Sequence, residues 1–221
     1  HGLFTSVIDG KFGVGDPVLQ VSRNQCMQVP ILSGNTTTEF RFAFPEEDTE
    51  TYIRKAAGSL AQDYIERCRE KMKESVTQVR SLAAASDMPV IEYSVRLMFE
   101  GGLKSGNEQN HYYYVFDPDI PGADHPGTFH SSDLWFWFET LAKCWRPFHG
   151  QHYDLSRMMC NYWANFIRTG NPNGLDADGM PMPEWERYTK ERPACMRMTQ
   201  NGPKPEIFPA SGPMRILLDA L

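Results

Sequence analysis

Gly127-Thr128-Phe129-His130-Ser131-Ser132-Asp133-Leu134 decides how this 221-residue chain is read. A histidine sits in a short turn, an acid follows three residues later, and the aromatic run Trp135-Phe136-Trp137-Phe138 comes next. Immediately upstream lies a Pro- and Gly-rich loop, Asp117 to Gly127. Before that comes His111-Tyr112-Tyr113-Tyr114-Val115-Phe116, dense in aromatic and β-branched side chains and so predicted as a strand. A loop leaving a buried strand can carry a histidine to the carboxyl edge of a sheet, where open α/β folds place their sites. Imidazole, with an ordinary pKa of ~6.5, can take a proton from a hydroxyl and return it to a leaving group. Taken alone, a single histidine in such a loop is more often a surface residue than a base.

Outward from this stretch the chain alternates between strand and helix signals. Val29-Pro30-Ile31-Leu32 reads as a short buried strand ending at Gly34, with Pro30 near its start. Thr51 to Ser59 and Leu60 to about Ala85 are rich in good helix formers, and Tyr64, Cys68, Met72, Val76 and Val79 form one apolar stripe. Val90 to about Leu103 is a predicted helix stopped by Gly101-Gly102. Asp154 is expected to cap a helix whose Leu155, Met158, Met159, Tyr162, Trp163, Phe166 and Ile167 share a face, with Gly170 as its C-cap and Pro172 beyond. A loop with Pro183, Trp185 and Tyr188, a strand at Ala194 to Thr199 and an apolar tail, Met214 to Leu221, complete the chain. The turn-rich opening from Asp9 to Pro17 reads as a surface loop. This order suits an α/β sheet with crossover helices. About three strands are visible, and a parallel sheet needs cover on both faces and at its edges, so the sheet is expected to be part of a larger one.

Two long motifs carry a family resemblance. The His130 turn is similar to the G-x-F-H-x-x-[ED]-[LI] turn of type-B carboxylesterases, the cholinesterase-like branch of the α/β-hydrolases. Tyr162-Trp163-Ala164-Asn165-Phe166-Ile167-Arg168-Thr169-Gly170-Asn171-Pro172-Asn173 resembles that family's YW-x-NF-x-[RK]-TG-[ND]-PN helix end. Pro183-Glu184-Trp185-Glu186-Arg187-Tyr188 matches its W-x-x-Y packing element. The resemblance runs from about Phe12 to Ile216 and covers only the later half of a family member. It implies the C-terminal portion of an α/β-hydrolase sheet with flanking helices, residues 1–221 forming part of a single domain.

The resemblance also implies roles. His130 takes the place of the triad histidine. Glu39 takes that of the triad acid, because Ile31-Leu32-Ser33-Gly34 is similar to the family's P-[VIL]-[LI]-x-G strand, which leads to a [DN]-E-[GF] segment. Thr38 and Phe40 depart from that segment's usual residues. Glu39 precedes His130, as the Ser…Asp/Glu…His order of this fold requires. Asp133 is implied as support beneath the site; read from the residues alone, it is an N-terminal acid for the run Leu134 to Thr140. Trp135 and Phe136 are candidate pocket residues, though rings at this density mostly belong to a core. The chain contains no G-x-S-x-G, so the nucleophile is missing, as is the family's glycine-rich oxyanion hole. The expected function is ester hydrolysis by a Ser-His-Glu triad to which this chain gives the His and Glu. The isolated chain is expected to be inactive. Its expected partners are a small-molecule ester and the missing N-terminal half. The alternative is a non-catalytic adhesion or binding module of cholinesterase-like fold.

Composition narrows the alternatives. A net charge of −6 argues against a nucleic-acid partner, which needs a cationic face. No apolar run approaches the ~18 residues of a membrane span. His1 to Ser6 lacks the features of a signal peptide. Cys26, Cys68, Cys144, Cys160 and Cys195 are odd in number and form no C-x-x-C pair, which suits free thiols in a reducing compartment rather than zinc ligands or a disulfide framework. His111, His125, His149 and His152 have no acidic or cysteine partner at metal-ligand spacing, so no metal or other cofactor is implied. Asn35-Thr36-Thr37 is a glycosylation sequon. An exposed apolar sheet face is expected to make the isolated chain associate.

Overall fold

The computed structural model describes residues 7–39, 46–74, 90–107 and 109–220. Among them the order is α1 (Pro17–Ser22), β1 (Ile31–Thr36), α2 (Glu46–Ala57), α3 (Ala61–Glu74), α4 (Val90–Lys104), β2 (His111–Asp117), α5 (Leu134–Trp137), α6 (Gln151–Thr169), β3 (Ala194–Thr199), β4 (Gly202–Ile207) and α7 (Gly212–Asp219). One mixed sheet runs β1-β2-β3-β4, with β1, β2 and β3 parallel and β4 antiparallel to β3.

Successive β2 side chains point to opposite faces, and both faces are covered. Tyr112 and Phe116 pack with Met196, Met198, Phe136, Trp137, Leu155, Met159 and Tyr162 on the α5–α6 side. Tyr113 and Val115 pack with Val95, Phe99, Tyr188 and Cys195 on the α4 side. Such double cover is why β2 reads as a continuous apolar and aromatic run. Trp185 and Tyr188 are packing residues. The Trp185 indole donates to the Tyr113 carbonyl at 3.1 Å, and the Tyr188 N–H donates to that of His111 at 2.8 Å.

Several elements differ from expectation. β1 runs through Gly34 to Thr36 instead of stopping there, because Gly34 lies opposite Tyr114 and leaves room for its ring. α4 likewise continues through Gly101 and Gly102 to Lys104. A Cβ on Gly101 would come within 2.6 Å of the Ser22 Cβ and 2.7 Å of its carbonyl oxygen, so this glycine lets α1 approach α4 rather than ending the helix. The long helical region is divided at a 3₁₀ turn, Gly58–Leu60, where Gly58 takes a φ of 55°. Tyr64 and Cys68 of the apolar stripe are buried; the side chains of Met72, Val76 and Val79 lie outside the described residues.

Asp154 sits inside the first turn of α6, where an acid suits the helix dipole, and Gly150 is the N-cap. Ile167 is exposed, off the buried face formed by Leu155, Met159 and Tyr162. Gly170 ends the helix in the left-handed conformation, its N–H bonded to the Phe166 carbonyl. β4 escaped the sequence reading because Pro203 and Pro205 argue against a strand. It pairs with β3 alone in this sheet, and at such an edge the missing donors cost least.

Candidate active site

The two loops of interest leave the carboxyl ends of adjacent parallel strands. Glu39 lies three residues past β1, and His130 lies in the loop that follows β2. At the tip of the second loop the Ser132 N–H donates to the Phe129 carbonyl at 3.0 Å, closing a turn with His130 at its corner and Ser131 at a φ of 68°. A non-glycine residue in that region carries backbone strain and persists only where its surroundings hold it. Here Arg146 helps to hold the loop. It is buried, pairs through two 3.0 Å bonds with Asp124, donates to the Pro121 carbonyl and lies over the Phe129 ring.

The structure brings His130 and Glu39 together across ninety-one positions of sequence. Nδ1 of His130 lies 2.6 Å from Oε2 of Glu39, and the His130 N–H donates to the Glu39 carbonyl at 3.0 Å. The other carboxylate oxygen, Oε1, accepts the Thr36 N–H at 2.8 Å, which fixes the acid against the end of β1. The His130 side chain is 47% exposed and that of Glu39 10%. The acid is therefore shielded on the inner side of the imidazole while the ring faces outward.

Asp133 lies close enough to the pair to feel the Glu39 charge. It occupies the N-cap position of α5 but makes no capping bond. Its Oδ2 accepts the Tyr114 hydroxyl at 2.8 Å instead. Burial pushes the Asp133 carboxyl above its ordinary range; the Tyr114 hydrogen bond opposes this, and the nearby charge of Glu39 adds to it. Burial, and then the Asp133 charge, hold the Tyr114 phenol well above its usual value, so it stays a donor. Tyr114 reaches Asp133 because Gly34 has no side chain: a Cβ there would lie 2.4 Å from the Tyr114 Cγ and 2.2 Å from its carbonyl oxygen.

The two aromatic candidates separate. Trp135 is partly exposed and packs on Phe129 and Phe148. Phe136 is fully buried against Phe116, Phe148 and His152 and has no exposed surface in this chain. The sequon at Asn35 is unsuited to glycosylation in this fold. Asn35 is buried, its amide donates to the Thr36 carbonyl, and its Oδ1 accepts the Tyr113 hydroxyl. His111 stacks on Phe99, and His152 is buried beside the Asp119 and His149 carbonyls. Among the described residues no three His, Cys, Asp or Glu side chains converge as a metal site would require. Sequence reasoning missed Tyr114, Thr37, Thr128 and Arg146 around the site. Their roles depend on partners distant in sequence, and no local spacing announces them.

A family model described as the carboxylesterase family matches residues 1–210. The chain belongs to the carboxylesterase family. Its relatives include carboxylesterase 4A of Bos taurus, 25% identical over 211 residues, which cover 84% of this chain and 36% of that protein. Acetylcholinesterase of Bungarus fasciatus is 25% identical over 226 residues, 88% of this chain and 35% of that enzyme. Among solved structures, a carboxylesterase of Geobacillus stearothermophilus superimposes with a TM-score of 0.71 at 22% identity, over 97% of this chain and 44% of that one. A PNB esterase does so with a TM-score of 0.72 at 19% identity, over 97% and 43%. These likenesses establish the α/β-hydrolase fold. This carboxylesterase-family chain spans about a third of the length of the curated relatives it matches.

Proposed function

We propose that this chain supplies the general base and its orienting acid to a Ser-His-Glu triad that hydrolyses carboxylic esters, as the C-terminal part of a single α/β-hydrolase domain. The nucleophilic serine and the oxyanion hole come from sequence outside residues 1–221. The observation that carries this reading is the 2.6 Å contact between His130 Nδ1 and Glu39 Oε2.

The chemistry follows from that contact. Glu39 holds the proton on Nδ1, which leaves the Nε2 lone pair to accept the serine proton as the hydroxyl attacks the ester carbonyl. The developing imidazolium is stabilised by the adjacent carboxylate. His130 then returns the proton to the departing alcohol. Water repeats the sequence to release the acid, with His130 again taking the proton as the new C–O bond forms. Asp133 and Tyr114 keep the floor of the site in place, and Trp135 is the aromatic side chain on the α5 side that can border the acyl or alcohol group.

Co-production with an N-terminal carboxylesterase segment that carries Gly-x-Ser-x-Gly, followed by a p-nitrophenyl ester assay, tests the reading. The chain alone is expected to be silent, the pair active, and the pair with His130→Ala inactive. An active pair unaffected by His130→Ala would overturn the assignment. A pair that assembles and never turns over ester would favour the non-catalytic binding module instead.

A further inference from the structure

A second set of contacts ties the two site loops together, and it lies two residues behind each of the reacting groups. Thr37 precedes Glu39 by two positions, and Thr128 precedes His130 by two. The Thr37 N–H donates to Thr128 Oγ1 at 3.1 Å, and the Thr38 N–H donates to the Thr128 carbonyl at 3.3 Å. The Thr37 and Thr128 hydroxyls are in hydrogen-bond contact. Thr37 Oγ1 also donates to Asp117 Oδ1 at 3.0 Å. Asp117 closes β2 and is itself paired through Oδ2 with Arg197, whose Nε donates to Glu206 at 2.7 Å.

The Asp117 carboxylate sets the direction of these contacts. A carboxylate can only accept, so the Thr37 hydroxyl proton points to Asp117. The Thr37 oxygen is then left as acceptor for the Thr128 hydroxyl. The Thr128 oxygen in turn accepts the Thr37 N–H. The Thr37 N–H is shared with the Phe116 carbonyl at 3.1 Å, and Thr38 Oγ1 lies 3.4 Å from Thr128 Oγ1, so the pair sits within a wider set of contacts between the two loops. Thr128 is 3% exposed, which removes water as an alternative partner and raises the cost of breaking the set.

We propose that Thr37 and Thr128 form a positioning pair, oriented by Asp117, that clamps the His130 turn onto the Glu39 turn and so holds the imidazole–carboxylate contact together. Neither threonine touches the reacting atoms. The inference rests on the reading of His130 and Glu39 as a general-base pair. It adds that their contact depends on hydroxyls supplied by the preceding residues of each loop.

Proton NMR on the ¹⁵N-histidine-labelled chain reads this directly, through the downfield Nδ1–H resonance of His130 and its rate of exchange with water. Glu39→Gln is the control and is expected to abolish the downfield shift. Thr128→Val and Thr37→Val, which keep shape and remove the hydroxyl, are each expected to speed exchange about thirtyfold, equivalent to ~2 kcal/mol for the two hydrogen bonds each hydroxyl makes. Thr128→Ser, which keeps the hydroxyl, is expected to restore slow exchange, a rescue that loss of general packing would not give. Where Thr128→Val does not fold, Thr37→Val on the other side of the pair carries the same expectation. A resonance unchanged in Glu39→Gln would sink the general-base reading itself. A resonance lost in Glu39→Gln yet unaltered in both valine variants would leave that reading standing and overturn the positioning pair.

Discussion

Gly34→Ala is expected to destabilise the chain by about 3 kcal/mol, a figure that follows from one close approach. Gly34 faces Tyr114 across the β1–β2 ladder. The added methyl would sit 2.2 Å from the Tyr114 carbonyl oxygen, 2.4 Å from its Cγ and 2.5 Å from its Cδ1. The first is backbone and the others form the root of the ring, so no flexible end can swing aside. A normal C···O approach is ~3.3 Å, which asks the strands to separate locally by about 1 Å. Overpacking of that kind costs ~1–3 kcal/mol. A separation of that size also stretches the ladder bonds flanking Gly34, each worth ~1 kcal/mol. For a chain of this length, 3 kcal/mol corresponds to a fall in Tm of roughly 6–12 °C. Urea denaturation followed by far-UV circular dichroism gives the free energy, and a thermal melt gives the shift. A Gly34→Ala chain within about 0.5 kcal/mol of wild type, the range of an ordinary surface change, would refute the argument that this glycine exists to seat Tyr114.

Two neighbouring glycines of α4 should respond with opposite signs. Gly101→Ala clashes with Ser22 and is expected to destabilise by about 1–2 kcal/mol, whereas a Cβ on Gly102 meets Asn107 at an ordinary 3.6 Å and the helix gains ~0.8 kcal/mol; paired urea melts that show the same sign for both would contradict the close packing of α1 on α4. Asp133, raised by burial from the ordinary 3.8, gives a pH signature. In the folded state it holds its proton to higher pH than in the unfolded chain, so its contribution to stability is most favourable below 3.8 and falls as pH rises toward the folded value. The stability of wild type relative to Asp133→Asn should therefore decline with pH over that window and be level outside it, and denaturation series across the acid range would expose an opposite slope.

How much was legible from sequence follows from the range over which each feature is encoded. β2, β3, α6 and its Gly170 cap were readable because composition, periodicity and capping act within a few residues of one another. His130 and Glu39 were singled out because each sits in a local motif that resembles the carboxylesterase pattern. The structure adds that their side chains meet. The glycines misled, since Gly34 and Gly101 look like terminators to a local reading and are contact points to the fold. Pro203 and Pro205 hid β4 for a similar reason: only the sheet order reveals that their missing donors face an edge. Phe136 could not be distinguished from Trp135 by sequence, because which of two adjacent rings enters the core depends on the placement of α5 against α6. The Thr37–Thr128–Asp117 set had no sequence signal at all, its members coming from three separate segments.

The central claim is that His130 and Glu39 act as one unit on a serine supplied from elsewhere. Measuring kcat for p-nitrophenyl ester hydrolysis in the reconstituted enzyme, for Glu39→Gln, His130→Ala and the double variant, tests it most directly. A loss of about 10⁴-fold is expected for Glu39→Gln, in line with triads whose acid is neutralised. A larger loss is expected for His130→Ala, and a double variant no slower than His130→Ala alone. Losses that multiply in the double variant, or a Glu39→Gln enzyme that turns over at the wild-type rate, would contradict it.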